Sequence, residues 1–232
     1  MSEFFASPEV QEALDILKTE IPFALWETVY VTFLSTLFAF ILGLPLGVLL
    51  VTGEKKGILP LPKIIMQALN WVINILRSVP FLILMIMVFP LTRFIVGTSV
   101  GTTASIVPLV IASFPFIARL VESSLREVNP NIIETALSMG ASPWQIIVKV
   151  LIPESVPSLI SNMTIAITTI LSYTAMSGII GGGGLGKIAI NYGYYRYKYL
   201  VMLFAVIILI LLVQVFQTAG TKLSVKSDKR LK

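Results

Sequence analysis

TVYVTFLSTLFAFILGLPLGVLLV, residues 28–51, contains no charged side chain. An α-helix rises about 1.5 Å per residue, so about 20 apolar residues cross the hydrocarbon core of a bilayer. Thr28–Val51 is long enough to do so, and the pattern returns along the chain. Ile64–Thr92 carries one charge, Arg77, and is too long for one straight crossing. Residues 64–76 read as an approach segment, with the crossing running on to about Thr92. Thr103–Ala118 is a shorter span closed by Arg119. Val156–Gly178 and Tyr199–Thr221 are uncharged. The expected fold is all-α: a polytopic membrane protein of about five transmembrane helices, forming a single transmembrane domain over residues 1–232.

Composition supports that class. Hydrophobic residues make up 56% of the chain and charged residues 12%, against about a quarter charged in soluble domains. The chain has no cysteine and no histidine. Disulfide frameworks, thiolate nucleophiles and most zinc or copper sites are thereby excluded, as is the usual general base near neutral pH. The net charge of +5 sits at the ends of apolar runs rather than in an aromatic-interleaved patch, which argues against nucleic acid.

Lysine and arginine in the short loops set the expected orientation. With the N-terminus outside, the inner side receives Lys55, Lys56, Lys63, Arg126, Lys149 and a basic tail at 222–232. The outer side receives only Lys18, Arg93, Lys187, Arg196 and Lys198. This predicts N-out and C-in, with 119–155 in the cytoplasm. The first twenty residues are acidic, unlike a signal peptide. Within an outer segment at 1–26, residues 8–21 form a short helix: Ser7 can cap it, Pro8 suits its first position, and Val10, Leu14, Leu17 and Ile21 share a face. That helix either lies along the outer interface or simply leads into the first span.

The 119–155 segment carries most of the functional signal. Asn131–Ser138 reads as a short helix with Glu134 in its first turn, and Gly140 stands where a left-handed C-terminal cap belongs. Ser142-Pro143-Trp144-Gln145 then opens a second helix with a capping box, which Pro153 ends or kinks. Such a helix pair between the third and fourth spans either docks on a soluble partner or covers the end of the bundle.

Glu134-Thr135-Ala136, Gly140 and Val150-Leu151-Ile152-Pro153 resemble the cytoplasmic signature of ABC importer permeases, Glu-Ala-Ala followed at matching spacing by Gly and Ile-x-Leu-Pro. Thr135, Val150 and Ile152 depart from it mildly in size. The resemblance implies a coupling helix that fits a groove on a cytoplasmic ATPase, with Glu134, Thr135, Ala136, Gly140, Ala141 and Pro153 as the coupling residues. Trp26-Glu27-Thr28, Gly43–Leu50, Arg77-Ser78-Val79-Pro80-Phe81, Thr92–Ser99, Pro115–Arg119 and Tyr192-Gly193-Tyr194 are similar to methionine importer permeases in particular. That family implies a homodimer of permeases in the cell membrane, two ATPase subunits that bind ATP and magnesium, and an extracytoplasmic substrate-binding protein. It implies no cofactor in this chain.

One motif imitates a nucleotide site. Gly181-Gly182-Gly183-Gly184-Leu185-Gly186-Lys187 fits the start of a phosphate loop, but Ile188 stands where the magnesium-binding hydroxyl belongs and no strand precedes it. A flexible turn with close backbone approach is the expected structure. On the fourth span Ser161, Thr164, Thr168 and Ser172 recur every three or four residues with Met176 at their end, so they share a helix face. They are candidates for the translocation pathway, and Met176 for its outer gate, against the alternative of ordinary helix packing. No carboxylate lies in the middle of a predicted span, which argues against a proton-coupled carrier. Arg77 is the one awkward charge, with Glu122 or another loop carboxylate as a candidate partner. A membrane-embedded enzyme lacks its cluster of polar ligands, and a passive channel has no need of the coupling signature.

Overall fold

The computed structural model describes residues 8–228. The Ser7 cap and the basic residues Lys229, Arg230 and Lys232 fall outside them. The regular elements among the described residues are all helical: α1 (Pro8–Thr19), α2 (Ile21–Thr52), α3 (Lys63–Ser78), α4 (Phe81–Met87), α5 (Phe89–Val96), α6 (Ile106–Arg126), α7 (Pro130–Ser138), α8 (Pro143–Ile180), α9 (Gly184–Ile188, continued by a wide turn Ala189–Tyr195) and α10 (Tyr199–Ser227). Helices α2, α6, α8 and α10 are long and apolar enough to cross a membrane, and α3 with α4 makes a fifth if the bent pair counts as one span.

Among the boundaries that differ from the sequence reading, three bear on the charged residues and the break before α4. The expected approach segment at 64–76 and the crossing from there to Thr92 are divided differently: α3 runs on to Ser78, and the chain breaks at Val79-Pro80 before α4 and α5. The ring of Pro80 excludes helical geometry from the residue before it, and Val79 is extended at φ −78°, ψ 126°. The third span does not stop at Ala118. It continues to Arg126, so Arg119 and Glu122 lie inside a helix rather than in a loop. The last span likewise continues through Lys222 and Lys226 to Ser227.

The chain falls into two compact units. One holds residues up to Thr36, Phe81–Val110 and Ile167–Phe216. Its apolar core joins Ala13 and Ile16 of α1, Ile21 and Ala24 of α2, Leu185 and Ile188 of α9, and Val201 and Ala205 of α10. Helix α1 therefore packs through Val10, Ala13 and Ile16, while Leu14 faces out. The sequence reading grouped Leu14 with Val10 on one apolar face; the core instead takes Ala13 and Ile16 beside Val10. Tyr192 ties this unit further by donating its phenol to Glu20 Oε1 at 2.5 Å. That bond, with some desolvation by burial, raises the Tyr192 pKa above the usual phenol value.

The other unit holds Leu37–Pro80, Ile111–Ala166 and the chain from Gln217 onward. Here α2 and α6 touch backbone to backbone. A Cβ on Gly47 would sit 2.7 Å from the Ala118 carbonyl oxygen, and one on Gly43 would sit 3.0 Å from that of Phe114. Gly43 and Gly47 are four residues apart on one helix face, the small-xxx-small arrangement that lets membrane helices approach closely. Gly220 of α10 leaves room for the side chain of Thr164 of α8.

Candidate functional site

Helix α7 starts one residue earlier than its sequence suggests. Asn129 is its cap, accepting from the Asn131 N–H at 3.0 Å, and Pro130 takes the first position. Glu134 consequently sits in the second turn, not the first. The helix ends in a Schellman motif: Ala141 N–H donates to Ala136 O at 3.1 Å and Gly140 N–H to Leu137 O at 2.9 Å. Gly140 has φ +78° with nothing near its missing Cβ, so its need for glycine is purely conformational.

Ser142 then caps α8 with both bonds of the capping box, from Gln145 N–H and to Gln145 Oε1. Pro153 neither ends nor interrupts this helix. Residues Ile147–Leu151 widen into a π turn, which accommodates the missing N–H that an ordinary helical ladder would require at Pro153. The predicted second helix and the fourth span are thus one helix.

These caps fix a short, largely exposed segment in which Ile133 and Ala136 are half-buried. None of the residues of α7 is buried. Met139 is 83% exposed, Trp144 72% and Leu137 46%. A helix this short is unstable on propensity alone, so its two caps supply much of its definition. Thr135 and Ser138 spend their hydroxyls on the helix's own backbone, leaving Glu134 as the ionisable group of the segment.

The sequence stripe on α8 separates into different environments. Ser161 is exposed and lines a polar cavity of about 410 Å³ with Glu127, Glu154, Ser158 and Asn162. Asn162 donates to Leu120 O and to Ser124 Oγ, pinning α8 to α6. Thr164 is 5% exposed, packed against Gly220, with its hydroxyl donating to Ile160 O. Its placement is that of a packing residue. Thr168 is half-buried; Ser172 is exposed and donates to Thr168 O; Met176 is 44% exposed near the helix end.

The proposed partner of Arg77 has other partners. Glu122 accepts from Arg119 at 2.7 Å and from Arg126 at 2.8 Å. Arg119 also donates to Asn70 and Asn74 of α3, and Arg126 to Glu54 after α2. A charged group inside a membrane helix must be paired or hydrogen-bonded, and this network meets that need. Sequence reading missed it because Glu54, Asn70 and Asn74 are remote in the chain. Only the i, i+3 and i, i+4 spacing of Arg119, Glu122 and Arg126 was visible.

The glycine run is the clearest correction. It is held rather than flexible. Gly184 N–H donates to Glu27 Oε2 at 2.8 Å and Leu185 N–H to Thr28 Oγ1 at 2.9 Å. Thr102 donates to Glu27 Oε1 at 2.5 Å. A Cβ on Gly183 would fall 2.1 Å from Thr102 Oγ1, which bears out the expected close backbone approach. The N–H groups that a phosphate loop would turn to nucleotide are here turned to the chain's own side chains.

The sequence profile of the family described as binding-protein-dependent transport system inner membrane component matches residues 43–223. This chain belongs to that family. Among relatives of this inner-membrane component is a probable D-methionine transport system permease protein of Vibrio cholerae, 50% identical and covering 89% of this chain and 92% of its own. The corresponding Pasteurella multocida protein is 46% identical over 88% and 94%. Among solved structures, an inward-facing conformation of a methionine ABC transporter superposes with a TM-score of 0.86 at 43% identity, over 88% of this chain and 94% of that one. The matched region runs from Gly43 to Leu223 and so contains α7, both of its caps and the whole of α8.

Proposed function

We propose that this chain is the permease subunit of an ATP-driven importer for methionine, and that α7 is where ATP-derived motion enters it. The observation that carries the coupling role is the capped α7, with no fully buried side chain, followed by the exposed Met139 of its C-cap and the exposed Trp144 at the start of α8. The likeness to permeases named for D-methionine supports the substrate. In this reading the chain forms a homodimer with its N-terminus outside. Two ATPase subunits, which bind ATP and magnesium, seat α7 in a groove, and a substrate-binding protein delivers the amino acid from outside. ATP-driven closure of the ATPases moves α7, and α8 transmits the motion because the two are joined by only four residues, 139–142. The bundle then alternates between inward-open and outward-open states. Ala136 and Gly140 permit close approach of the partner, and Glu134 meets a basic group in its groove.

The test is uptake of radiolabelled amino acids into vesicles holding the full transporter. ATP-dependent methionine uptake above other amino acids is expected; equal uptake without the ATPase would favour a channel. Gly140→Val should lower uptake at least roughly tenfold with the complex still assembled, because a β-branched residue at positive φ unravels the Schellman cap. Retained uptake would sink the coupling role of α7. In the same reading Met176 closes the outer gate, so Met176→Ala should raise ATP hydrolysed per methionine imported several-fold; an unchanged ratio removes Met176 from the gate.

A further inference from the structure

We infer that Glu27 is a positioning residue for transport: through the glycine segment it fixes the end of α8 that carries Ser172 and Met176. This rests on the permease reading above.

Every link lies within one unit of the chain. Glu27 belongs to α2 and uses both carboxylate oxygens, one accepting from Thr102 and the other from Gly184 N–H. The neighbouring Thr28 donates its hydroxyl to Ala24 O and accepts from Leu185 N–H. The start of α9 is therefore bolted to one turn of α2. Helix α9 is in turn pressed onto the end of α8. A Cβ on Gly186 would lie 2.4 Å from Ala175 O, and one on Gly178 would lie 2.5 Å from Lys187 N. Gly182 N–H donates to Ser177 O at 2.9 Å. Gly101 N–H donates to Gly181 O at 2.9 Å, so the segment bearing Thr102 grips the same loop from its other side. These contacts join main chain to main chain, with few side-chain rotamers between them to absorb a shift. A displacement of α9 therefore reaches Met176, within two residues of Gly178.

A carboxylate suits this post because its two oxygens accept from two donors on different segments at once, and ionised acceptors make the stronger hydrogen bonds. Aspartate is one methylene shorter and cannot span the same gap. Glutamine can keep the geometry: its oxygen accepts from Gly184 N–H and its amide donates to the Thr102 hydroxyl.

The full transporter, with its ATPase and binding protein, is reconstituted in vesicles, and uptake and ATP hydrolysis are measured together. Glu27→Ala and Glu27→Asp are expected to lower methionine imported per ATP roughly tenfold while hydrolysis continues. Glu27→Gln should restore most of the ratio, and Thr102→Val should show an intermediate loss. The chain has no cysteine, so Ser172→Cys gives one label site per permease chain, read on that chain after its separation from the other subunits. Its reaction with a membrane-impermeant maleimide should quicken several-fold in the Glu27→Ala background. Should Glu27→Ala fail to assemble, Glu27→Gln and Thr102→Val carry the same comparison. A wild-type uptake-to-ATP ratio in Glu27→Ala, or a parallel fall of uptake and hydrolysis with unchanged labelling at position 172, overturns the positioning role. Absence of ATP-dependent uptake by the unsubstituted transporter would instead overturn the permease reading.

Discussion

Gly47→Ala should destabilise the folded chain by about 2–3 kcal/mol, although it adds one methyl group to a helix and alanine is the better helix former. The added carbon would lie 2.6 Å from the Val121 side chain and 2.7 Å from the Ala118 carbonyl oxygen. Rotation can move Val121 Cγ1 but not its Cβ, also 2.6 Å away, and neither that atom nor the carbonyl can retreat without moving α6. Membrane helices gain little from apolar burial, because lipid is as apolar as their partners, so close packing supplies much of their association. Forcing α2 and α6 apart removes that packing along a face. Gly43→Ala should cost less, about 1 kcal/mol, because its closest neighbour is the Ile117 Cγ2 methyl at 2.8 Å, with the Phe114 oxygen at 3.0 Å. Thermal midpoints of the detergent-purified chain, with monodispersity on gel filtration, order the two variants. Equal midpoints for Gly47→Ala and the unsubstituted chain would show that α2 and α6 are not in this contact in the folded protein.

The second large effect belongs to the charge network on α6. Arg119→Met should cost about 2–3 kcal/mol, since breaking a pair leaves the other charge poorly compensated. Glu122 is 13% exposed and would retain only Arg126; Asn70 and Asn74 would lose their shared donor. The double variant Arg119→Met with Glu122→Met should be more stable than the sum of the single losses predicts, because it removes both charges from an apolar setting. A double-mutant cycle on denaturation midpoints reads this directly. Strict additivity would mean that Arg119 and Glu122 do not interact. The exposed arm of the network, Arg126 with Glu54, is about half in contact with solvent on both sides and should contribute well under 1 kcal/mol.

Both predictions rest on contacts that no local reading supplies, yet much of the architecture was legible. Apolar length alone located the four long helices, because the bilayer sets a fixed thickness. Local chemistry also read true where the interaction spans a few residues. The Ser142–Gln145 capping box and the left-handed Gly140 both form as expected. Where local signals competed, chain neighbours misled. Pro153 looked like a helix end, but a π turn absorbed it. Arg119 looked like the end of a span, but it lies inside α6 with its charge met from α3.

The α7 segment and the glycine segment divide along the same line. The helix bearing Glu134, Thr135 and Ala136 and its cap at Gly140 could be found from the sequence, since a capped helix is encoded within about ten residues. The environment of the α8 stripe could not, because helical periodicity gives a face and not what covers it: Ser161 opens on a cavity while Thr164 is packed on Gly220. Nor could the glycine run. Four consecutive glycines remove side chains and so permit either a mobile turn or a tightly held one. Residues 181–187 alone do not choose between them. The carboxylate that chooses, Glu27, stands 157 positions away from the Gly184 amide it accepts from. Hydrophobic length and short-range hydrogen bonds were written in the chain itself; which backbone lies against which, and which charge answers which donor, arose only when distant segments met.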